Sequence, residues 1–584
     1  MIHDRPNPQI TVLDAGGQYC HLIARRIREQ GVYAEVRPSE TPAAELAGRK
    51  GILISGGPSS VYEAGSPKID PVILGGGSAV LGICYGQQLM AHVLDGHVRK
   101  GERGEYGHAV LELLRPNPLL EGFEESEPVW MSHRDQVEKP PSGFEVLAAT
   151  LTCPVAAIGN PEARLYAVQF HPEVVHTPKG STLLANFLFS ICRCEKDWDP
   201  RGRVALLEQS IRESVGSRNV FFFVSGGVDS SVAYRLCVRA LGPDRVHGAY
   251  VDTGLMRAGE TDFVRESLGV SVVDARSDFL EALEGVAEPE RKRKIIGEMF
   301  VGVQDRVLQS GHYLDGDWIL GQGTIYPDTI ESGGTAKAEV IKTHHNRVEG
   351  IQKLMEENRI IEPLTSFYKD EVRDVGRELG LPEELLCRHP FPGPGLAIRL
   401  LCSEVEEALE QRAEGWLIPV RSVGVQGDSR TYRSVLALAE PPAESALVRA
   451  TELVNRYADV NRIVSLVASH APMEELRIRK SGLSAQRVDR LRECDAIVRR
   501  MSHASGFDRR VWQFPVVVLP LGLAGRGDSV VLRPIHSVDG MTASAVAMDS
   551  GLLDEISAEL LKVPGICAVF YDLTHKPPAT IEWE

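Results

Sequence analysis

Eleven consecutive residues, Phe221-Phe-Phe-Val-Ser-Gly-Gly-Val-Asp-Ser-Ser231, restrict this chain more than any other stretch. An apolar run from Phe221 to Val224 enters Ser225-Gly226-Gly227-Val228-Asp229-Ser230-Ser231, and Val232-Ala-Tyr-Arg-Leu-Cys-Val-Arg239 then reads as a helix. A buried strand that feeds a glycine turn at a helix N-terminus makes an anion site. Backbone N–H groups point outward there, and the helix dipole favours negative charge. The two glycines let the backbone approach a phosphate closely. The serines add hydroxyl donors, and Asp229 can hold a magnesium ion. The spacing is not that of Gly-x-x-x-x-Gly-Lys-Ser/Thr, the common nucleoside-triphosphate loop.

The rest of the chain supplies a frame for that corner. A length of 584 residues predicts three or four domains. The net charge of −16 argues against a general nucleic-acid binder, though it allows a local basic pocket. The ten cysteines are scattered, and Cys192-Arg-Cys194 has neither a second pair nor a histidine partner, so zinc is not expected. Scattered thiols without a signal-peptide pattern predict a reducing, cytoplasmic setting. No apolar run is long enough to span a membrane.

Strands are predicted at residues 9–14, 33–36, 51–55 and 79–83, with a helix from His21 to Gln30. Strands alternating with helices predict a parallel α/β unit. Cys192–Arg203 reads as a linker. A second alternating unit starts near Val204, with strands near Phe221, Val246–Val251, Val272–Asp274 and Trp318–Gly321. The cluster Pro390-Phe-Pro-Gly-Pro-Gly395 punctuates its end. The third unit carries a weak repeat. Ile418-Pro-Val leads to Gly427-Asp428-Ser429, and Phe514-Pro-Val leads to Gly527-Asp528-Ser529, at different spacings.

A second chemical motif lies in the first unit. Gly82-Ile-Cys84-Tyr-Gly86 falls between a strand and the helix-like Gln87-Gln-Leu-Met-Ala-His-Val-Leu94. That puts Cys84 on a sharp strand-to-helix turn, as in a nucleophile elbow. The helix N-terminus favours the thiolate. The N–H of Tyr85 is a natural oxyanion donor, and the Gly56-Gly57 loop could add a second, through Gly57. Downstream, Ala167-Val-Gln-Phe-His171-Pro-Glu173 ends another strand. Residues two apart share a strand face, so Glu173 can orient His171 as base for Cys84. Taken alone, Gly-x-Cys-x-Gly also describes a buried structural cysteine.

These motifs carry resemblances. The Ser225–Ser231 loop resembles that of the ATP pyrophosphatases, which grip the pyrophosphate of ATP and allow AMP transfer. Residues 9–190 resemble the class I glutamine amidotransferases, through the cysteine elbow, Gln169-Phe-His171-Pro-Glu173, Asp14-Ala-Gly-Gly-Gln18, Ser55-Gly-Gly-Pro58 and Gly101-Glu-Arg-Gly-Glu105. The chain departs from that family at His133-Arg134-Asp135, where His-Gly-Asp is usual, and the arginine could alter glutamine recognition or coupling. Over its full length the chain resembles the glutamine-hydrolysing GMP synthetase family. The matching stretches include Tyr250-Val-Asp-Thr-Gly-Leu255, Arg293-Lys-Ile-Ile-Gly297, Gln322-Gly-Thr-Ile-Tyr-Pro-Asp328 and Lys342-Thr-His-His-Asn346. Lys369-Asp-Glu-Val-Arg373, Arg388-His-Pro-Phe-Pro-Gly-Pro-Gly-Leu396 and Lys576-Pro-Pro-Ala-Thr-Ile-Glu-Trp-Glu584 complete the set.

That resemblance implies an α/β protein: a class I amidotransferase domain over 1–197, a doubly wound ATP-pyrophosphatase domain over 198–392, and an α+β C-terminal domain over 393–584. The last carries extra residues, as in the longer form known from animals. It implies amidation of XMP to GMP, with ATP giving AMP and pyrophosphate and with ammonia taken from glutamine. Cys84, His171 and Glu173 would be catalytic, with Gly57 and Tyr85 at the oxyanion. Ser225, Gly226, Gly227, Val228, Asp229, Ser230, Ser231 and Lys369 would bind ATP, and Asp229 and Asp370 would hold Mg2+. Arg293, Asp428, Gln513, Lys576 and Glu582 would bind XMP. The partners implied are these small molecules, without nucleic acid or membrane, in a monomer or homodimer.

Two other readings stand at this point. The same loop serves a different acceptor, such as a deamido-dinucleotide or a tRNA base. Or the chain is a nucleotide-binding regulator with an inactive amidase, a reading to which Arg134 adds a little.

Overall fold

The computed structural model describes residues 7–17, 19–174, 176–331, 349–426, 429–523, 527–537 and 542–584. Gln18, the Lys342–Asn346 stretch and the expected XMP contact Asp428 lie outside the described residues.

The first unit is built on β1 (Ile10–Asp14), β2 (Ala34–Pro38), β3 (Gly51–Ile54), β4 (Ala79–Ile83), β5 (His97–Leu113), β6 (Ser126–Lys139), β7 (Glu145–Ala149), β8 (Ala157–Asn160) and β9 (Leu165–Val168). Among the described residues the sheet order is β2-β1-β3-β4-β9-β8-β7-β5-β6. β2, β1, β3, β4 and β9 pair in parallel, and β9 through β6 continue antiparallel. β1, β3, β4 and β9 are near-continuous apolar runs because both faces are covered, whereas the edge strand β2 alternates apolar and charged residues. Val12 and Leu53 face one buried cluster, while Leu13 and Ile54 face the other.

The second unit repeats the logic with β10 (Asn219–Phe223), β11 (Val246–Asp252), β12 (Ser271–Asp274), β13 (Trp318–Gly321) and β14 (Ile360–Ile361). They form one parallel sheet in the order β12-β11-β10-β13-β14. Phe222 packs into one flanking cluster and Phe221 into the other. Burying each phenylalanine contributes about 1.5–3 kcal/mol. β10 is central, so its C-terminal end opens at the switch point where ligands bind in such sheets.

The third unit makes the weak repeat visible. Strand Gly415–Gln426 pairs antiparallel with Ser429–Leu438, and helix Glu444–Arg456 returns the chain to the parallel strand Val460–Ser469. The same order recurs in Val516–Leu519, Asp528–Leu532, helix Ser550–Leu560 and Ile566–Asp572. The two copies meet antiparallel, Val460–Ser469 against Ile566–Asp572, in one sheet. An extra strand, Leu521–Leu523, leaves the second hairpin and pairs antiparallel with Leu476–Ile478, outside the seven-stranded sheet.

The junctions between units differ. The second and third share one apolar cluster that runs from Val251, Leu255 and Phe279 to Leu417, Val516 and Tyr571. The first and second meet mainly through aromatic rings: Tyr326 and Tyr368 enter the first unit's core and Tyr33 enters the second's. Among the described residues no helix is long and apolar enough to cross a membrane.

Candidate active sites

The fully buried strand β4 delivers Cys84 directly to helix Tyr85–Val93. Cys84 has φ +53° and ψ −106°, a left-handed conformation unusual for a side-chain-bearing residue. Close packing makes the turn possible. A Cβ on Gly82 would lie 2.6 Å from Gly86 O, and one on Gly86 would lie 2.3 Å from Ile54 O. The Cys84 N–H donates to Val168 O at 2.8 Å, and its thiol points to Ser132 O at 3.6 Å.

His171 arrives three residues past the end of β9. Its Nδ1 lies 2.7 Å from Glu173 Oε1, and both side chains are buried. With Nδ1 held by the carboxylate, Nε2 is the nitrogen left for the thiol. Burial works against the imidazolium, but Glu173 and a hydrogen bond with Cys84 outweigh it and raise the His171 pKa well above the ordinary histidine value. Gly56 completes the walls: a Cβ there would sit 3.2 Å from His171 Cε1 and 3.5 Å from Cys84 Cβ. The Tyr85 N–H occupies the first helical position, where no intrahelical acceptor exists. Gly57 packs against the Tyr85 side chain, since a Cβ there would be 3.5 Å from Tyr85 Cγ.

Glu105, His133 and Asp135, to which the motifs assign no role, carry a hydrogen-bond network of their own. His133 Nε2 lies 3.2 Å from Glu105 Oε2, Thr150 Oγ1 donates to Glu105 Oε1 at 3.2 Å, and Ser60 Oγ donates to Asp135 Oδ2 at 2.5 Å. Burial raises the Glu105 pKa, but hydrogen bonds from His133 and Thr152 outweigh it and hold the carboxyl below its usual range. Arg134 is exposed on the opposite face of β6 from the buried His133 and Asp135. The family's usual glycine is therefore replaced on the outside of the strand, away from that network.

At the end of β10 the loop turns at Gly226, φ +75°, where a Cβ would strike Val264 Cγ2 at 2.7 Å. Helix Val228–Leu241 begins at once. Ser231 Oγ donates to Gly227 O at 2.7 Å, and the Ser225 and Ser230 hydroxyls sit 3.0 Å apart. Gly323 closes over the helix start, since a Cβ there would lie 2.7 Å from Ser230 N. Asp229 Oδ1 is buried without a hydrogen-bond partner among the described residues. Burial raises the Asp229 pKa; Lys369, whose Nζ is 3.7 Å from Oδ2, opposes that, and Asp328 adds to it.

An orphaned carboxylate oxygen beside a phosphate loop suits Mg2+, which takes one or two carboxylates and fills its other positions with phosphate oxygens and water. The second carboxylate near Asp229 is Asp328. Asp370 instead pairs with Arg25 of the first unit, Nε to Oδ1 at 3.2 Å. Lys369 and Asp370 are successive residues at the start of helix Lys369–Glu378, so they point about 100° apart and only the lysine faces the loop.

The expected XMP contacts converge in part. Gln513 Nε2 donates to Glu582 Oε1 at 3.2 Å, and Arg293 pairs through Nη2 with Glu584 O. Arg399, buried and not assigned from sequence, grips Glu582 at 2.9 and 2.7 Å. Lys292 Nζ holds the Glu584 carboxylate at 2.7 Å. Lys576 exchanges backbone hydrogen bonds with Ala543 at 2.7 and 3.1 Å, which ties the tail to the sheet.

Between the two sites Arg28 of helix Cys20–Glu29 is 4 % exposed and surrounded by rings. Its guanidinium lies 4.7, 5.0, 4.5 and 4.8 Å from the rings of Tyr33, Trp198, Tyr326 and Tyr368. It also donates to Ser366 O at 2.7 Å and pairs with Glu371 at 3.3 Å. Tyr326 is two residues from Asp328, and Glu371 is two from Lys369, so this box abuts the phosphate loop's own partners.

Fold and sites define a class I glutamine amidotransferase joined to an ATP-using α/β domain. A family model described as Glutamine amidotransferase class-I matches residues 11–191, NAD synthase matches 201–264, and GMP synthase C terminal domain matches 500–583. The last match falls on the second copy of the C-terminal repeat. A relative from Leptospira interrogans named "Probable GMP synthase, glutamine-hydrolyzing" is 43% identical over 600 residues, covering 99% of each chain. A GMP synthase from Caldicellulosiruptor saccharolyticus is 41% identical over 592 residues, covering 98% of this chain and 99% of its own. The chain belongs to the glutamine-hydrolysing GMP synthase family. A shorter relative from Symbiobacterium thermophilum is matched over 98% of its length yet covers 79% of this chain. The longer form thus occurs in bacteria and is not confined to animals.

Proposed function

We propose that this enzyme converts XMP to GMP, using ATP and the amide nitrogen of glutamine, with the domain division 1–197, 198–392 and 393–584. The observation that supports this most is the presence of two separate constellations on one chain: Cys84–His171–Glu173 and the Ser225–Ser231 loop with Asp229.

In the first site the Cys84 thiol gives its proton to His171 and its sulfur attacks the glutamine carboxamide. The oxyanion is met by the N–H groups of Tyr85 and Gly57. His171 returns the proton to the leaving ammonia, and water then releases glutamate from the thioester. Glu173 holds the imidazolium in place throughout. In the second site the loop N–H groups, the serine hydroxyls and Lys369 bind the ATP phosphates. The XMP oxygen attacks the α-phosphorus of ATP, so that the adenylyl group moves onto it and pyrophosphate leaves; ammonia then attacks the purine carbon that bears this oxygen, and AMP departs with the oxygen. Asp229 and Asp328 would hold Mg2+, which when bound neutralises phosphate charge. Asp370, paired with Arg25, sits one residue from Lys369 and joins the site to the first unit. Arg293, Asp428, Gln513, Lys576 and Glu582 orient XMP.

The ten cysteines are all unpaired, which supports a reducing cytoplasm. The test is GMP formation from XMP, ATP and magnesium with glutamine and ammonia supplied in parallel. Product with both donors is expected; no product with either would return the chain to another acceptor.

A further inference from the structure

The stretch Arg388-His-Pro-Phe-Pro-Gly-Pro-Gly-Leu396 stands out in the sequence, yet neither reaction above uses its side chains. Its course explains it. At one end Arg388 donates from Nη1 to Gly226 O in the phosphate loop at 2.8 Å, and it pairs through Nη2 with Glu260. Just past the other end Arg399 grips Glu582. Between them Pro390 O accepts from Gln513 Nε2 at 2.8 Å, and the Leu396 N–H donates to Leu255 O at 2.7 Å. Prolines at 390, 392 and 394 fix φ along the way. The strap runs from one nucleotide site to the other.

A line of buried charge runs beside it. Asp495 of helix Ala485–Ser505 is fully buried among three guanidiniums. Arg499 Nε lies 2.8 Å and Arg257 Nε 3.4 Å from its Oδ2, and Arg399 Nη1 lies 4.0 Å from its Oδ1. Signs alternate from Glu582 through Arg399 and Asp495 to Arg257. The Phe391 ring bridges the two guanidiniums on either side of Asp495, 4.6 Å from Arg257 and 5.3 Å from Arg399. Arg257 then leads into the turn that presents Glu260, whose N–H donates to Arg257 O at 3.2 Å.

The ends of this line are tight and its middle is slack. Arg399 Nη1, Asp495 Oδ1 and Arg257 Nε are all buried without a hydrogen-bond partner among the described residues. Buried polar atoms are nearly always paired. Three orphans at one joint fit an element with a second, closed arrangement, which is what coupling between distant sites requires.

We infer that Arg399, Asp495 and Arg257 are positioning residues that couple XMP binding to the shape of the ATP loop. XMP at Glu582 draws Arg399 off its present bidentate grip and toward Asp495. Closure there sets Arg257, the Glu260 turn and thereby the Arg388 hold on Gly226. This rests on the reading of Glu582 as an XMP contact and of Ser225–Ser231 as the ATP loop.

The test is calorimetric titration of the full chain with XMP, with a non-cleavable methylene analogue of ATP, and with each in the presence of the other. In the unaltered protein each ligand should tighten the other at least about fivefold. Asp495→Asn should bind each alone within about threefold of normal, with the mutual effect reduced below about twofold. In ammonia-driven turnover it should raise KM for each nucleotide at saturating levels of the other more than it lowers kcat. Arg388→Lys, at the less buried end, should lose the same coupling and guards against misfolding of the first variant. Undiminished coupling in both variants, or independent binding in the unaltered protein, would overturn the inference alone. Failure of XMP or the analogue to bind the unaltered protein would overturn the functional reading with it.

Discussion

The two catalytic regions differ in how completely they are assembled. Cys84, His171 and Glu173 are each no more than 4 % exposed, and contacts of 2.7–2.8 Å fix the histidine and the turn. The phosphate loop is open by comparison. Ser225 and Gly227 are exposed, and Lys369, with half its side chain in solvent, stands 3.7 Å from Asp229. A thiol that must attack a small amide gains from rigid placement before the substrate arrives. A site that must admit two nucleotides and release pyrophosphate needs room, and its charges find their partners on the ligands.

That contrast can be broken from either side. The largest effect belongs to Asp229→Ala, which should lower GMP formation about 10³-fold or more with glutamine and with ammonia alike. Retention of either rate would remove Asp229 from the ATP site. Glu173→Gln should lower the glutamine-driven rate about 10²-fold by misorienting His171, and should leave the ammonia-driven rate unchanged. Equal losses with both donors would mean that the two sites are not separable. A smaller effect is expected where the two regions meet. Arg28→Met keeps the bulk in the ring box but removes its cation. It should cut glutamine-driven turnover about five- to tenfold while ammonia-driven turnover falls less than about twofold. A change confined to ammonia-driven turnover would contradict the placement of Arg28 between the sites.

The smallest effect sharpens the electrostatics of the elbow. The His171 pKa is raised in the folded state, so its charged form contributes stability that is fully present below the unfolded value of about 6.5. That contribution is lost as pH rises through the raised, folded-state pKa. The melting temperature of the unaltered protein should therefore exceed that of Glu173→Gln most at low pH, by about 2–4 °C per kcal/mol of difference. The gap should shrink as the solution becomes alkaline. A gap that grows with pH would reverse the assigned charge state.

What could be read from sequence was local. The elbow and the phosphate loop are contiguous motifs in which a strand, small residues and a helix start follow within a dozen positions, so their geometry follows from spacing. Strand alternation predicts His171 and Glu173 on one face, but β9 ends at Val168; it is the turn at Pro172 and Glu173 that brings the carboxylate to His171 Nδ1. Other features depend on tertiary approach. Asp328 comes beside Asp229 only because β13 lies next to β10, while Asp370, one position from Lys369, turns to Arg25 because a helix rotates each residue by about 100°. Nothing in the local sequence near Arg28 announces an aromatic box drawn from residues 33, 198, 326 and 368. The C-terminal duplication is one of strand pairing and helix return, of which the sequence shows little more than the matching openings Ile418-Pro-Val and Phe514-Pro-Val.

The central claim is that two separable sites on one chain share a single nitrogen. Cys84→Ala tests it most directly, with GMP measured from XMP, ATP and magnesium on each donor. Glutamine should support no more than about 10⁻³ of the normal rate, while ammonia should support a rate within about twofold of normal. Loss of both rates, or survival of the glutamine-driven rate, would contradict the account.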